Sequence, residues 1–273
     1  MRSFSYCAAA VALALFASSG KAQDQPAPAD SVSLPGSPHV VRERALVVVS
    51  GASAITLALL PFDQRIAHAF QRPRLQDNET LRHVVNDIAR IGDPAPFVIG
   101  GGALALGLIS GNPVLHSIGL HLVEGVGAAT IVNGLAKGVA GRSLPGIERR
   151  GSFKLGRGFR EHNGPYVAFP SGHTAAAFAM ASVLVGESHR WMPAAVPYVA
   201  TLGYTAATGV ALARLYQNVH WASDLPLAAV IGTYAGFAVE RRASARANRG
   251  VMDKLSHLRL MPTAHGALIT VGS

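Results

Sequence analysis

Thiol chemistry is almost absent from this chain of 273 residues, because Cys7 is its only cysteine. Disulfide staples and thiolate metal sites are therefore excluded. Charge is scarce as well: 14% of residues are charged, against about 25% in a typical soluble domain. Aromatic residues make up 7%, with two tryptophans, and the basic residues are scattered and not interleaved with aromatics. That pattern speaks against nucleic acid as a partner, although the net charge is +9. An excess of this sign suits an anionic membrane surface or an anionic substrate. What the chain has instead is 49% hydrophobic residues and 29 glycines, in long Ala-rich tracts. Closely packed, weakly charged helices follow, either a membrane bundle or a soluble helical protein with a very apolar core.

The N-terminus has the order of an export signal: Arg2, an apolar run from Ala8 to Ala17, and a small-x-small site at Gly20-Lys21-Ala22. The run is short for a bilayer crossing, so cleavage after Ala22 is expected, carrying Cys7 away. Removal of Arg2 and Lys21 lowers the net charge by two. Residues 23–40 are rich in Pro, Ser and Asp and are assigned to a disordered linker. A helical domain is expected over 41–242 and a basic tail over 243–273, in which Leu258 to Val271 could pair as a hairpin. Within the domain, apolar stretches at about 44–61, 96–111, 115–138, 174–187, 193–216 and 224–240 predict about six core helices. Leu81, Val84, Val85, Ile88 and Ile91 recur at helical spacing, so Glu79 to Ile91 predicts an amphipathic surface helix. Residues 141–170 lack any apolar period, and a loop of that length in a small domain is usually functional. The fold expected is all-α: a helical bundle, membrane-embedded, with a site at one end.

Three short clusters carry nearly all the residue types that phosphate chemistry needs. In KGVAGRSLP (137–145), Lys137 ends a helix and Arg142 follows in the loop, so two cations stand where an anion could be held. A bland alternative is a snorkelling lysine and a solvated arginine. In FPSGHT (169–174), Ser171 is a good N-cap for the alanine-rich helix that follows. Free backbone N–H groups at such a helix start form an anion site, Gly172 permits close approach, and His173 lies in the first turn. In RLYQNVHWASD (214–224), His220 and Asp224 are four apart and would share a helix face. An Asp so placed orients the imidazole and stabilises its cation, while Arg214 supplies a planar fork for phosphate oxygens. The bland alternative is a His–Asp pair that only ties two helices together.

The ordered set Lys…Arg-x-x-Pro, Pro-Ser-Gly-His and Arg-x5-His-x3-Asp resembles the phosphatidic acid phosphatase type 2 superfamily over roughly residues 110–240. That superfamily unites lipid phosphatases, bacterial acid phosphatases and vanadate-dependent haloperoxidases. The second motif matches in full, and in the third Ala213 stands where the family usually has Ser. The first departs: Lys137 and Pro145 are in register, but Leu144 occupies the position of the family's phosphate-binding Arg, and Arg142, Arg149 or Arg150 would have to reach in.

The resemblance implies a metal-independent phosphomonoesterase that needs no cofactor and has an optimum below neutrality. Its nucleophile would be His220, oriented by Asp224 and forming a phosphohistidine, and His173 would be the acid. Lys137, Arg142, Ser171, Gly172 and Arg214 would hold phosphate. Alternatives are an anionic-headgroup binder without turnover, motivated by Leu144, and a vanadate-dependent haloperoxidase. Substrate would be a lipid phosphate such as phosphatidate or an isoprenyl phosphate if the bundle is embedded, or a small soluble ester if it is free in the periplasm. Oligomeric state is not readable. A bacterial-type cell envelope is expected, as an inner-membrane multi-pass protein with a periplasm-facing site or a soluble periplasmic one. A cleaved signal conflicts with the first of these, because three crossings from residue 23 bring Lys137 to the cytoplasmic face.

Overall fold

The computed structural model describes residues 38–148, 151–160, 164–256, 258–263 and 266–271, with side chains between 45 and 246. The expected signal peptide lies outside the described residues, as does the linker up to residue 37.

Local sequence sets most helix ends. α1 spans Pro38–Leu59 and leads through a 3-10 turn, Leu60–Phe62, into α2 at Asp63–Phe70 and the short α3 at Pro73–Gln76. Asn78 caps α4 (Glu79–Arg90) by accepting from the Leu81 amide at 2.9 Å. α5 (Ala95–Ser110) stops at Gly111, whose φ of +67° an L side chain rarely adopts. Asn112 then caps α6 (Pro113–Ala140), with Pro113 at the first helical position, where its missing N–H costs nothing. Ser171 caps α7 (Gly172–Trp191), and α8 runs over Val196–Tyr216. After a 3-10 turn at Ala222–Asp224 comes α9, Leu225–Ser256. The long helices coincide with the apolar stretches to within a few residues at most ends. α9 is the exception, because its basic C-terminal half continues the helix well beyond residue 242. β1 (Leu258–Thr263) and β2 (Gly266–Val271) pair antiparallel as the expected hairpin.

The helical bundle centres on α7, which packs against α6, α8 and α9. Small residues let these backbones approach. A Cβ on Gly232 of α9 would lie 2.1 Å from the Ala175 carbonyl oxygen of α7, and one on Gly236 2.7 Å from that of Ala179. This is small-xxx-small packing, which brings helices together where lipid supplies no hydrophobic drive. α5 and α6 meet the same way at Gly107 and Gly119.

The bundle's surface is apolar where a soluble protein would be polar. Ile109, Ile131, Leu135, Tyr198 and Leu202 are all more than half exposed. Four segments are long and apolar enough to cross a membrane: Ala45–Phe70, Pro113–Ala140, Pro193–Tyr216 and Ala222–Arg246. The α4–α5 pair, bent by 48°, passes the same test only when its two helices are taken together, as a broken span or a re-entrant loop. The chain is built as a multi-pass membrane protein, and the soluble alternative fails on that exposed apolar girdle.

Chain direction alternates through the bundle. α1, α6 and α8 run toward one end; α5, α7 and α9 run away from it. That end gathers Asp63, Gly92, Lys137, Gly172, Arg214, His220 and Asp224. Residue 38 therefore lies at the opposite end from all three chemical clusters.

If the α7–α9 contact is as tight as its glycines indicate, Gly232→Ala should lower unfolding stability in detergent by about 1–3 kcal/mol through overpacking. Gly127→Ala, where a Cβ meets nothing within 4 Å, should change the unfolding temperature little.

Candidate active site

The start of α7 is the floor of the site. Ser171 is fully buried, and its Oγ accepts from the Thr174 amide (3.4 Å) and the Thr174 hydroxyl (2.9 Å). Its own O–H remains free to donate. The Ser171 amide donates to the backbone carbonyl of Asp224 at 3.2 Å, which ties this helix start to the turn before α9. Lys137 approaches from α6: a Cβ on Gly172 would sit 3.8 Å from its Cε. The Lys137 ammonium donates to the Val167 carbonyl. Arg214, in the last turn of α8, donates to Gln217 Oε1 at 2.6 Å, and its Nε is buried without a hydrogen-bond partner. An unsatisfied buried guanidinium N–H is costly, so this donor is suited to an anion.

His220 is not on a helix. It sits in the turn between α8 and α9, where Asn218 takes a left-handed φ of +56°. Its Nδ1 lies 2.7 Å from the Ala168 carbonyl oxygen and 3.4 Å from Asp224 Oδ2. A carbonyl can only accept, so Nδ1 carries the proton and Nε2 keeps a free lone pair. Asp224 approaches the ring across a 3-10 turn, not along a helix face, with its Oδ2 held by the Trp221 amide at 2.8 Å. The sequence expectation of a helical His–Asp pair is thus corrected. The nearest group orienting His220 is the Ala168 carbonyl, and Asp224 stands behind it.

Arg142 is also placed differently from expectation. Its side chain is 1% exposed, and it donates to Asp224 Oδ1 (2.5 Å), Asp63 Oδ2 (2.6 Å), Ser223 Oγ (2.6 Å) and the Gly151 carbonyl (3.3 Å). With its donors spent on two carboxylates, it is no phosphate ligand. It is the cation that holds Asp224 in place.

Electrostatics follow from burial and from the converging cations. His173 is pushed down to about 3, first by burial and then by Arg214, His220 and Lys137. Asp93 Oδ2 lies 3.9 Å from His173 Nε2 but is half exposed, so solvent screens it. His220 is also lowered, chiefly by burial, with the Asp224 hydrogen bond opposing and Lys137 and Arg214 adding to the depression. Both imidazoles are therefore neutral at pH 7 in the ligand-free site.

Residues 118–246 match the PAP2 superfamily profile. The chain carries a PAP2-superfamily domain. Over 93 residues it is 34% identical to the lipid A 1-phosphatase of Porphyromonas gingivalis, a match covering 34% of this chain and 20% of that protein. The shared stretch is thus about one fifth of that relative. The fold is similar to the crystal structure of a transmembrane PAP2-type phosphatidylglycerolphosphate phosphatase from Bacillus subtilis. The TM-score is 0.51 at 19% identity, covering 76% of this chain and 96% of that one.

The PAP2 domain departs from its family pattern at Leu144, and the surroundings fit the leucine. Leu144 packs against a buried cluster of Ala67, Ala168 and Trp221. Arg149 and Arg150 lie outside the described residues. The described part of the loop after α6 is tied together by backbone hydrogen bonds, donated by Ser143, Leu144, Lys154 and Ala168. Sequence reasoning missed Asp63, Asn133, Ala168 and Asp93. Asn133 was detectable, because it precedes Lys137 by one helical turn. It is 2% exposed, donates to the Pro170 carbonyl at 3.3 Å and leaves its Oδ1 unpartnered. Asp63 carried no local signal, and the role of Ala168 belongs to its backbone.

Arg142 and Arg214 should separate by experiment. Arg142→Ala leaves Asp63 and Asp224 buried without their cation and should cost about 3–5 kcal/mol of stability. Arg214→Ala should leave the unfolding temperature nearly unchanged while weakening binding of inorganic phosphate roughly ten- to a hundredfold, as for a lost charge-assisted contact.

Proposed function

We propose that this protein hydrolyses phosphate monoesters of membrane lipids through a phosphohistidine on His220. The observation that carries the proposal is the convergence of Lys137, Arg214 and the α7 N-terminus around two imidazoles, with Arg214 Nε buried and unpartnered. Cations and helix-start amides favour a dianionic group there. The site opens at one end of an apolar bundle, where a lipid headgroup would lie. The names of the two relatives, a lipid A phosphatase and a phosphatidylglycerolphosphate phosphatase, support a phosphorylated lipid over a small soluble ester.

In this mechanism the free Nε2 of His220 attacks phosphorus in line while Lys137, Arg214, the Ser171 hydroxyl and the Gly172 amide hold the equatorial oxygens. Asp224 and the Ala168 carbonyl stabilise the positive imidazole as the P–N bond forms. His173 delivers its proton to the leaving alkoxide, then takes one from the water that cleaves the P–N bond. A bound phosphate dianion offsets the cations that depress His173, so substrate itself helps load the acid.

Leu144 favours a second role, headgroup binding without turnover, because no guanidinium stands at that position. One assay separates the two. Steady phosphate release from phosphatidate should be present in the wild type and lost in His220→Ala; binding with no release in either would establish the second role. The pH profile has a defined sign. A depressed His220 stays nucleophilic into the acid range, whereas His173, low in the free site and raised by the bound phosphate, loses its proton as pH rises. Turnover should therefore be faster in mildly acidic than in alkaline buffer. His173→Gln should flatten that dependence and slow alkyl phosphates by about 10²–10⁴-fold. p-Nitrophenyl phosphate, whose leaving group needs no proton, should lose less.

We further propose that the site faces the periplasm. Since residue 38 lies at the other end of the bundle, this orientation requires a cytoplasmic residue 38 and is incompatible with export and cleavage at Ala22. In a Cys7→Ser background, Gly146→Cys at the site end should react with a membrane-impermeant maleimide in spheroplasts. Ala194→Cys, in the α7–α8 connection, should react only after the membrane is opened. The reverse pattern would place the site in the cytoplasm.

A further inference from the structure

The far end of the bundle holds a second cluster that phosphate chemistry does not use. His121 of α6, Glu187 of α7 and Glu240 of α9 are all buried, and one ligand atom from each lies within 4.8 Å of the others. The three residues stand 14 to 16 positions along their helices from Lys137, His173 and Asp224, or roughly 21–24 Å at 1.5 Å per residue. The cluster is therefore separate from the phosphate site.

Its hydrogen bonding is incomplete. Glu187 is well supplied: Oε1 accepts from the Ser117 hydroxyl at 2.9 Å and pairs with His121 Nδ1, Oε2 accepts from the Trp191 indole at 2.6 Å, and Arg190 lies 3.9 Å away. Glu240 is not. Its Oε1 is buried with no hydrogen-bond partner, although it points at His121 Nδ1 from 3.3 Å. One nitrogen carries one proton, and Glu187 takes it. Two carboxylates and one imidazole thus converge on a point that a single proton cannot satisfy. A buried carboxylate is retained in proteins when it is paired or holds a metal.

We propose that His121, Glu187 and Glu240 bind one divalent transition-metal ion of the zinc class. A dication replacing the shared proton neutralises both carboxylates and gives the orphaned Glu240 oxygen a partner. Imidazole with carboxylates is a donor set suited to such an ion. A tetrahedral ion with bonds of about 2.0–2.1 Å has ligand-to-ligand edges of roughly 3.3 Å, which His121 Nδ1 and Glu240 Oε1 already match at 3.3 Å. The hydrogen-bonded His121–Glu187 pair is closer and would open as the ion replaces the proton, and a water or the Ser117 hydroxyl would complete the set. Because each ligand comes from a different helix, the ion would fasten α6, α7 and α9 together at the end away from the phosphate site. Its role is structural, and it takes no part in phosphoryl transfer.

The test uses the full chain purified in detergent, stripped with a chelator, exposed to Zn²⁺ and desalted. Elemental analysis should find one zinc per chain in the wild type and at least tenfold less in Glu240→Gln and His121→Gln. Zinc should also raise the unfolding temperature of the wild type but of neither variant. Retention of phosphatase activity by the variants would show that they fold. If they do not fold, Co²⁺ added to the wild type decides alone, because a tetrahedral imidazole–carboxylate site gives an intense visible band. A wild type that keeps no stoichiometric zinc and shows no such cobalt band would overturn the proposal and leave a metal-free ionic cluster.

Discussion

The site's geometry depends on one buried guanidinium. Arg142 stands between Asp63 and Asp224 and also reaches Ser223, so it joins the end of the first apolar segment, the loop after α6 and the turn before α9. Ser223 closes the network by donating its amide to Asp63 at 2.9 Å and its hydroxyl at 2.5 Å. Trp221, just after His220, donates its indole N–H to the Ser143 carbonyl at 2.8 Å, beside Arg142 in sequence. A buried ion network of this kind contributes little net stability compared with an apolar core of the same shape. What it supplies is position. His220 inherits its place from a turn that is fixed on both sides, by Asp224 behind the ring and by the Ala168 carbonyl at Nδ1.

Much of this was legible in sequence, and the reasons for success and failure are physical. Helices were readable because their apolar runs are long and unbroken and Ser171 marks the start of α7; Asn78, Asn112 and Gly111 set further ends in the structure. The candidate site's side chains were readable because His173, Arg214, His220 and Asp224 lie in short segments whose internal spacing survives folding. Arg142 was misassigned for a reason that no local pattern could reveal. Its partner Asp63 lies 79 positions away, and a lone Arg in a Gly-rich loop looks the same whether it faces an anion or a carboxylate. The Ala168 carbonyl was invisible because any residue supplies a carbonyl. His121 and Glu187 were ordinary polar intrusions in apolar helices until α9 brought Glu240 beside them.

The two ends of the bundle have opposite electrostatic character. At one end Lys137 and Arg214 face a pair of imidazoles depressed by burial and by those same cations, a site waiting for negative charge. At the other, two carboxylates share one imidazole, a site waiting for positive charge. The helices between are joined by glycine and alanine contacts at backbone distance, so each end is held in register by the same small-residue packing. Leu144 fits this economy. Its apolar seat against Ala168 and Trp221 supports the backbone that orients His220, and in the proposed mechanism the phosphate grip falls to Lys137, Arg214 and the start of α7.

The central claim is that His220 itself takes the phosphoryl group. Rapid quenching during turnover of a phosphorylated lipid, followed by peptide mapping under alkaline conditions that preserve P–N bonds, tests it directly. A phosphoryl group on His220, absent from Asp224, Ser171 and His173 and discharged on a chase with unlabelled substrate, is the predicted result. Turnover with no phosphorylated His220 at any quench time, or with the label on another residue, would contradict it.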